Sequence, residues 1–587
     1  MFAVQNVLVR IFIVLGMGAA VVTILYFTPV PDKVFLNCNR PCQDFDWPMI
    51  CRVKLTLENY KTLQKYQWHS NNCSLEDDIP TTIIAVNRQV PGPTISVCEN
   101  DILVVDVINK IPGQSVTMHW RGQPQVEAPM MDGVPMVTQC PISSYTTFQY
   151  KFRASRPGTH MWHAHAGAKF SDGIFGALIV NQPEKLNPFK DLYDAEEVLA
   201  ISERNVDLDA SRRLLINGKT EPEENVFQVD WGKRYRFRAM YSGGAASCPV
   251  TVSIDKHPLT ILSLDGYPIN PQQVSSVSFS KGERVDFIVT ANQASNSYLL
   301  RVVSECAHNA VKIEGVVKYT EVAHEVLHRY YPKNRPTTLT LETAACESTV
   351  DRACVSGIQS MDSIPSELVQ KVDETIYLGF DYMIVNDLNG TQLEKPPQKV
   401  YRMNNITFTY PSSPLLTQKE DVNKASICSS KKKPSQCNDM EICECVHIEQ
   451  ITLGSAVELI FADLGNDAQE AVFHLHGYQF YIVGSKQFKK RPNLDHLKKL
   501  NNQGLLLKRN FAKPVIKDTV RVPKNGVVAV RFLANNPGYW MLRDEHSEEW
   551  SRGMDVVLQV GGSCDMISKP NNFPTCGSWT GPDFFLI

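Results

Sequence analysis

The sequence lacks three features that would place it in other classes of protein. Its net charge is only −3 over 587 residues, so it has no basic excess of the kind that nucleic-acid-binding proteins carry. Charged residues make up 21% and hydrophobic residues 43%, which excludes a disordered chain. Beyond residues 11–27, no stretch is long and apolar enough to span a bilayer. We therefore expect a folded protein of roughly three or four domains, without a nucleic-acid partner.

The chain does contain many cysteines, 16 in all. An even number spread over the whole chain indicates disulfides and therefore the secretory pathway. The apolar run follows Arg10 and predicts either a cleaved signal peptide or a signal anchor with single-pass membrane anchorage, and both interpretations stay open. Sequons at Asn72, Asn389 and Asn405 predict glycosylation on the same route. We expect an extracellular or cell-surface protein.

Three blocks of the sequence have the same pattern, in which short runs of β-branched residues are separated by turn residues. "TIIAVNRQVPGPTISVCENDILVVDVIN", "RYRFRAMY" and "VVAVRFLANNPGYW" are examples, one from each block. Short strands at such spacing are typical of β-sandwiches. The predicted division is an N-terminal hydrophobic segment (1–30), a disulfide-stapled Cys-rich segment (31–75), three sandwiches (76–185, 190–325 and 373–562), a linker (326–372) between the last two, and a Cys-containing tail (563–587).

Histidines recur at tight spacing in the first and third blocks. The first block holds "MHWRG" and "GTHMWHAHAG", and the third holds "VFHLHGYQF". Residues i and i+2 of an extended chain point to the same face, so a His-x-His pair can offer two imidazoles to one site. Imidazole is a good ligand for copper and zinc. One such pair is weak evidence, but two pairs in different sandwiches indicate a shared metal site.

The sequence motifs resemble those of the multicopper oxidases, and among them those of the insect-type laccases. "MDGVPMVTQCPI", "GTHMWHAHAG", "FHLHGY", "KDTVRVP", "NPGYW" and "NFPTCG" follow one another in the order of that family. The resemblance implies an all-β fold of three cupredoxin-like Greek-key sandwiches in series. It also implies a type 1 copper that accepts electrons and a trinuclear copper cluster that reduces O2. Within the family, the chain resembles the insect multicopper oxidase-related proteins, which are members with degenerate copper sites.

The resemblance implies that only some of the copper-ligand positions still hold a residue that can bind copper. The positions that keep a cluster ligand are His119 and His474 (type 2) and His163, His165 and His476 (type 3). The other type 3 positions hold Arg121, Arg543 and Glu545, and the strong type 1 positions hold Ala471, Asp544 and Glu549. Met554 remains as the weak axial ligand, and Asp132 matches a carboxylate outside the cluster. Carboxylates with one thioether do not make a blue-copper site.

Arginine at two cluster positions has a physical consequence. A guanidinium stays protonated and has no lone pair for a metal. Arg121 and Glu545 would be ligands of the same type 3 copper, so we predict that they form an ion pair where that copper would lie. We expect Arg543 to crowd the other type 3 position, beside His165 and His476.

Three functions follow, and the first is the sequence-based prediction. It is a non-enzyme, an extracellular binding or scaffold protein without a cofactor, whose partner is an unidentified protein or small molecule. The second is a protein that binds one copper or zinc ion through the remaining histidines. The third is a laccase-like phenol oxidase.

The resemblance also suggests disulfides. Cys140 would bond a C-terminal cysteine, either Cys564 or Cys576, and Cys248 would belong to another bridge. The lysine- and cysteine-rich residues 421–445 read as a stapled surface insertion.

Overall fold

The structure is a computed structural model of the chain. The residues it describes are 2–27, 38–44, 47–70, 73–166, 173–206, 211–244, 248–305, 311–320, 327–328, 337–341, 352–385, 398–438, 442–465, 471–546 and 551–577. Glu549, Asn72 and Asn389 lie outside these residues. Asn405 is described, and its side chain is exposed; its glycosylation stays a prediction.

Domain 1 is a sandwich of two four-stranded sheets. In spatial order the first sheet contains Cys73–Val86, Ile50–Ser70, Ile102–Asn109 and Thr147–Arg153. The second contains Ile95–Cys98, Phe175–Asn181, Gly158–Ala166 and Thr117–Arg121. Alternate residues of Thr147–Arg153 are buried and exposed, as expected for a strand with one face on a core.

Domain 2 is a larger sandwich. Its first sheet contains Ser211–Ile216, Ala195–Val206, Arg234–Tyr241, Arg284–Thr290, Leu259–Leu264 and Tyr267–Val274. Its second contains Val226–Val229, Lys312–Tyr319, Ser297–Ser304, Val250–Ile254, Ser276–Phe279, Thr338–Thr340 and Arg352–Cys354, with Leu327–His328 paired to Ser297–Ser304. One apolar core fills the space between the two sheets.

Domain 3 repeats the architecture. Its first sheet contains Gln398–Met403, Glu374–Val385, Ala456–Asp463, Gly526–Leu533, Phe480–Gln487 and Ile516–Lys517. Its second contains Thr407–Phe408, Glu444–Ile451, Val556–Val560, Gly538–Asp544, Ala471–Leu475 and Thr519–Val522, with Ile427–Cys428 paired to Glu444–Ile451. The described α-helices are Phe2–Phe27, Ser366–Val369 and Leu494–Asn502. The predicted series of three β-sandwiches is confirmed.

The predicted boundaries differ from the structure at two places. Thr338–Thr340 and Arg352–Cys354, which fall in the predicted linker, extend the second sheet of domain 2. Ile50–Ser70, which falls in the predicted Cys-rich segment, pairs in parallel with Ile102–Asn109 of domain 1. The three-residue strands Thr338–Thr340 and Arg352–Cys354 depend on pairing with a sheet that the rest of domain 2 provides. Ile50–Ser70 is 21 residues long and extends the first sheet of domain 1.

At the N-terminus, the helix Phe2–Phe27 covers the apolar run. Among the described residues, no helix is both long enough and apolar enough to cross a membrane. The signal anchor therefore stays a prediction, as does the cleaved signal peptide.

Disulfides tie the chain together in the way that the cysteine content predicts. Cys38–Cys51 and Cys42–Cys98 staple the N-terminal segment to domain 1. Within the predicted insertion, the two bridges are Cys428–Cys445 and Cys437–Cys443.

The C-terminal tail is bonded to domain 1. Of the two alternatives, Cys576 is the partner of Cys140, 436 residues away in sequence. Cys564 is exposed and free, and Cys248 is disulfide-bonded as expected. The bridge therefore fastens the tail that follows domain 3 to domain 1.

Replacing both Cys140 and Cys576 by serine is expected to lower the free energy of unfolding by about 2–4 kcal/mol, because the bridge closes a very long loop. The measurement is the midpoint of urea unfolding under non-reducing conditions. Cys564→Ser is the matched control and should unfold at the urea concentration of the parent. A double variant as stable as the parent would show that the tail does not stabilise the domain arrangement.

Candidate metal centre

The strand Thr117–Arg121 brings the first histidine to the centre. It pairs antiparallel with Gly158–Ala166, and the register sets His119 opposite His163. Trp120 is fully buried in the core of domain 1. Because successive side chains of a strand alternate between faces, the residues on either side of Trp120 point away from that core, toward domain 3.

A corresponding pair of strands in domain 3 carries the other histidines. Ala471–Leu475 pairs antiparallel with Gly538–Asp544, and the register sets His474 opposite Arg543. His476 follows this strand, and its backbone N–H donates to the carbonyl of Met541. The two His-x-His motifs of the sequence thus face each other across the junction of domains 1 and 3.

Three of the histidines form a compact triad. One ring nitrogen each of His119, His474 and His476 lies within 4.8 Å of the other two. Nε2 of His119 is 3.2 Å from Nε2 of His474. All three side chains are buried. The structure thus brings together three of the five histidines proposed as ligands, and metal binding by them stays a prediction.

The protons of the triad are placed by the surrounding backbone and one carboxylate. Nδ1 of His119 lies 2.8 Å from the carbonyl oxygen of Asp132, and Nδ1 of His474 lies 3.0 Å from that of Asp518. Nδ1 of His476 lies 2.8 Å from the Asp132 carboxylate. A carbonyl oxygen only accepts, so Nδ1 carries the proton in His119 and His474 and Nε2 carries a lone pair. The two lone pairs point into the same small space.

The imidazoles of domain 3 are neutral at physiological pH. Burial lowers the pKa of His476 to about 4, although the Asp132 carboxylate acts in the opposite direction. Burial and the positive charge of Arg121 lower the pKa of His474 well below its usual value. Burial opposes ionisation of Asp132, but His476 and His119 hold the pKa of its carboxyl below the usual range. Neutral imidazole is the form that binds metals.

The other two histidines are engaged differently. Nδ1–H of His163 donates to the carbonyl of Ala164 at 2.8 Å. His165 accepts from Arg543, whose NH1 is 3.0 Å from its Nδ1 and 3.0 Å from its carbonyl oxygen. NH1 of Arg543 also lies 3.3 Å from Nε2 of His165, and this Nε2 lies 3.3 Å from Nε2 of His476. Arg543 thus lies beside His165 as predicted and is its hydrogen-bond partner.

The predicted ion pair between Arg121 and Glu545 is confirmed. NH1 of Arg121 donates to Oε1 of Glu545 at 3.0 Å, and NH2 is 2.7 Å from the same oxygen. Nε donates to the carbonyl of Gly282 in domain 2. Gly282 has φ +81°, and a Cβ there would lie 2.2 Å from Arg121 NH2. A buried arginine therefore joins all three domains at this point.

Of the strong type 1 positions the structure describes Ala471 and Asp544, and neither offers a thiolate or an imidazole. Nδ1 of His546 lies 3.4 Å from Oδ1 of Asp544. Asp544 is fully buried, and its Oδ2 accepts from Nε and NH2 of Arg552 at 3.0 and 2.7 Å. Ala471 and Met554 line a small cavity beside this ion pair. The carboxylate at the centre of the former type 1 site is thus neutralised by an arginine.

Domain 2 contributes charges that sequence reasoning missed. Arg284 forms a two-point ion pair with Asp518, at 2.8 and 2.5 Å, and thereby fixes the residue whose carbonyl orients His474. The fully buried Lys517 lies 2.9 Å from Asp265 and 3.0 Å from Glu283. The segment "KDTVRVP" contains Lys517 and Asp518, but nothing in its sequence indicates that their ion-pair partners come from another domain.

The geometry of the triad fits a transition-metal ion. With metal–nitrogen distances of about 2.0–2.1 Å and tetrahedral angles, two ligand nitrogens lie about 3.3–3.4 Å apart. The 3.2 Å between Nε2 of His119 and Nε2 of His474 is close to this value. Two lone pairs at this distance repel unless a cation lies between them. Hydrogen-bonded Nδ1 groups are also the usual second contact of metal-binding histidines.

Arg121→Ala is expected to lower stability by about 3–5 kcal/mol, because it leaves the Glu545 carboxylate buried without its partner. The melting temperature measures this loss. The double variant Arg121→Met with Glu545→Met removes both charges and should recover most of the difference. An Arg121→Ala variant as stable as the parent would contradict the energetic role of the pair.

Comparison with known families supports the resemblance. Sequence models described as "Multicopper oxidase" match residues 67–185, 187–321 and 408–562. Each match falls on a different one of the three sandwiches.

Curated relatives match along most of the chain. "Laccase-3" of Oryza sativa subsp. japonica is 25% identical over 84% of this chain and 92% of its own length. "L-ascorbate oxidase" of Brassica rapa subsp. pekinensis is 24% identical over 82% and 88%. "Laccase-9" of Arabidopsis thaliana is 28% identical over 84% and 88%.

Solved structures of this class share the fold. Fet3p, described as a multicopper oxidase that functions in iron import, superposes with a TM-score of 0.65 at 20% identity, covering 87% of this chain and 90% of its own. The laccase of Botrytis aclada gives 0.63 at 20% identity, covering 89% and 90%. The prediction of three cupredoxin-like domains in series is confirmed; the insect-type subclass stays a prediction.

The comparisons also correct the sequence analysis. The prediction that the chain is not an enzyme is wrong, since the relatives it matches over most of its length are laccases and an ascorbate oxidase. Lost ligands at individual positions do not outweigh this relationship. The expectation of no cofactor is likewise unsupported, because the family implies copper and a histidine triad is present. The chain belongs to the multicopper oxidase family.

Proposed function

We propose that this chain is an oxidoreductase-family protein that binds one copper ion at His119, His474 and His476. The observation that carries the proposal is the approach of two Nε2 lone pairs to 3.2 Å, with their protons held on Nδ1 by backbone carbonyls. A cation placed among the three rings converts this repulsion into coordination. Copper suits a neutral imidazole set and binds such sites more tightly than zinc.

The protein's own residues prepare the site in three ways. Asp132 orients two rings at once, His119 through its carbonyl and His476 through its carboxylate. Arg284 holds Asp518, which orients the third ring. Such contacts fix the tautomer and ring orientation and strengthen metal binding. Bound copper would supply one-electron exchange between Cu(II) and Cu(I).

Arginine at two type 3 positions limits the number of ions. Arg121 and Glu545 form an ion pair with each other, and Arg543 donates to His165. A guanidinium cannot act as a ligand. We therefore expect one ion in this cluster rather than three.

Electrons would reach this ion by a different route from that implied by the family resemblance. The cysteine of the type 1 relay is replaced by Asp544, which is bound to Arg552. A narrow cleft borders two of the triad histidines instead, and its lining includes His119, His474 and Tyr267. We infer that a small electron donor docks at this cleft.

A second candidate function is oxidation of ascorbate or of a phenol. It is favoured by the relatives, which include an ascorbate oxidase and laccases. In this chain, turnover would depend on the same ion. Oxygen uptake with ascorbate or a methoxyphenol should therefore require copper and should be lost in His474→Ala.

We place the protein outside the cytosol, because five disulfides are present among the described residues and disulfides persist in oxidising compartments. The electron donor is then an extracellular small molecule or protein.

Metal content tests the proposal directly. Copper-loaded protein, dialysed and measured by elemental analysis, should hold about one copper per chain and should show the paramagnetic signal of Cu(II) without the blue band of a copper–thiolate site. His474→Ala removes one of three ligands and should lose the ion. His496→Ala, which removes an exposed histidine of helix Leu494–Asn502, is the control and should keep it. Copper retained equally by both variants would place the ion elsewhere, and a parent that binds no copper would refute the proposal.

A further inference from the structure

One segment of domain 3 carries a strong excess of positive charge. Residues 486–513 contain nine lysines and arginines but one acidic residue, Asp495, although the whole chain has a net charge of −3. The segment includes the helix Leu494–Asn502. Positive charge is therefore concentrated in one short part of the chain, and the fold decides where that charge is presented.

The segment lies across the outer face of the first sheet of domain 3. It leaves the strand Phe480–Gln487, and its helix reaches the strand Glu374–Val385, where Asn501 donates to the hydroxyl of Tyr377 at 2.8 Å. The chain then returns to the first strand at Asn510, whose N–H donates to a backbone carbonyl there. Two further strands lie between these two in the sheet, so the segment spans about 14 Å.

The leucines of the segment pack on the sheet. Leu497, Leu506 and Leu507 are buried in one apolar cluster with Val527 and Ala529 of the sheet. An amphipathic segment that buries its apolar side in this way exposes its charged side. The packing therefore fixes the segment and directs its lysines to solvent.

Part of the positive charge stabilises domain 3 itself. Arg509 forms an ion pair with Glu458 at 2.6 Å, and Arg491 lies 3.7 Å from Asp381. Four other basic side chains are exposed and form no ion pair with an acidic side chain in the part of the chain that the structure describes. We call them the basic face: Lys489, Lys490, Lys499 and Lys508.

The basic face extends along the segment. Its first two members directly follow the strand Phe480–Gln487, and Lys508 passes beside Gly484 of that strand, where a Cβ would lie 3.0 Å from the lysine carbonyl oxygen. Lys499 belongs to the last turn of the helix. NH2 of Arg509 donates to Asn501 of the same turn at 2.7 Å, which ties the two parts of the face together.

This distribution suits a polymer better than a small anion. The four ammonium groups are spread along the surface, so one small anion cannot contact all of them. A chain with repeated negative charges can contact several at once and offset their mutual repulsion. Stretches rich in lysine and arginine are typical of surfaces that bind nucleic acids or heparin.

Two observations favour a polysaccharide among the possible polyanions. Five disulfides among the described residues indicate an oxidising compartment outside the cytosol, which disfavours nucleic acid. The leucines of the segment are buried against the sheet, so the helix has no free apolar face to insert into a membrane. Anionic lipids are also characteristic of the cytoplasmic leaflet.

We propose that the basic face is a binding surface for a linear acidic polysaccharide that carries sulfate or carboxylate groups. It would hold the protein on such a polymer outside the cell. The first sheet of domain 3 carries this face, whereas His474 lies on the second sheet. Polysaccharide binding is therefore independent of the proposed copper function.

Heparin is the probe for the test. Binding of the full chain to immobilised heparin is measured at physiological ionic strength and again at higher salt. Saturable binding that weakens as salt is added is expected, because salt screens exposed charges. Replacing the four lysines of the basic face by glutamine should weaken the apparent affinity by about tenfold or more. Uncharged dextran should not compete.

The matched control removes the same charge elsewhere. It combines Lys151→Gln, Lys190→Gln, Lys312→Gln and Lys371→Gln, which replace exposed lysines outside the segment. This control should bind heparin as the parent does. All three proteins should unfold at the same urea concentration and hold the same amount of copper, since every substituted side chain is exposed and outside the metal centre.

Three results would overturn the proposal. The first is a parent that does not bind heparin at physiological ionic strength. The second is an equal loss of affinity in the control, which would assign binding to net charge rather than to the basic face. The third is a parent that binds vesicles of phosphatidylserine and phosphatidylcholine but not heparin, which would assign the face to a membrane. Loss of copper binding alone would refute the proposed function and leave this surface intact.

Discussion

Compensation of buried charge at the junction of the three domains is the constraint on which the centre depends. Arg121 of domain 1 is paired with Glu545 of domain 3 and donates to the backbone of Gly282 in domain 2. Arg284 of domain 2 is paired with Asp518 of domain 3. Each pair spans a domain boundary and is almost completely buried. Because an unpartnered charge in such surroundings is strongly unfavourable, the pairs hold the domains in the arrangement that brings the histidines together.

The same charges decide what the centre can bind. Arg284 forms an ion pair with Asp518, whose backbone carbonyl accepts a hydrogen bond from His474. Arg543 forms a hydrogen bond with His165. The result is a set of three close histidines, two of which have the proton fixed on Nδ1. Guanidinium groups occupy two positions that resemble type 3 copper ligands.

The change at the type 1 position is as complete as that at the cluster. Asp544 forms a buried ion pair with Arg552, so its carboxylate accepts hydrogen bonds from that arginine. Substitution by a carboxylate alone would leave a buried negative charge, and the arginine removes that cost. The family membership and the altered ligand set are therefore both properties of this chain.

The sequence by itself determined the β-sandwich architecture and the histidines available for a site, because strand periodicity and His-x-His spacing are local properties. It also indicated the pair of Arg121 and Glu545, but only through resemblance, since the two residues are 424 positions apart. The prediction that residues 338–354 form part of a linker was wrong, because an edge strand forms only when it pairs with an existing sheet. Only the tertiary structure decided which histidines meet, on which ring nitrogen each proton lies and which charges pair across domains. These outcomes depend on distances between distant segments, and a buried proton or charge is stable only where a partner from another domain lies within hydrogen-bonding distance.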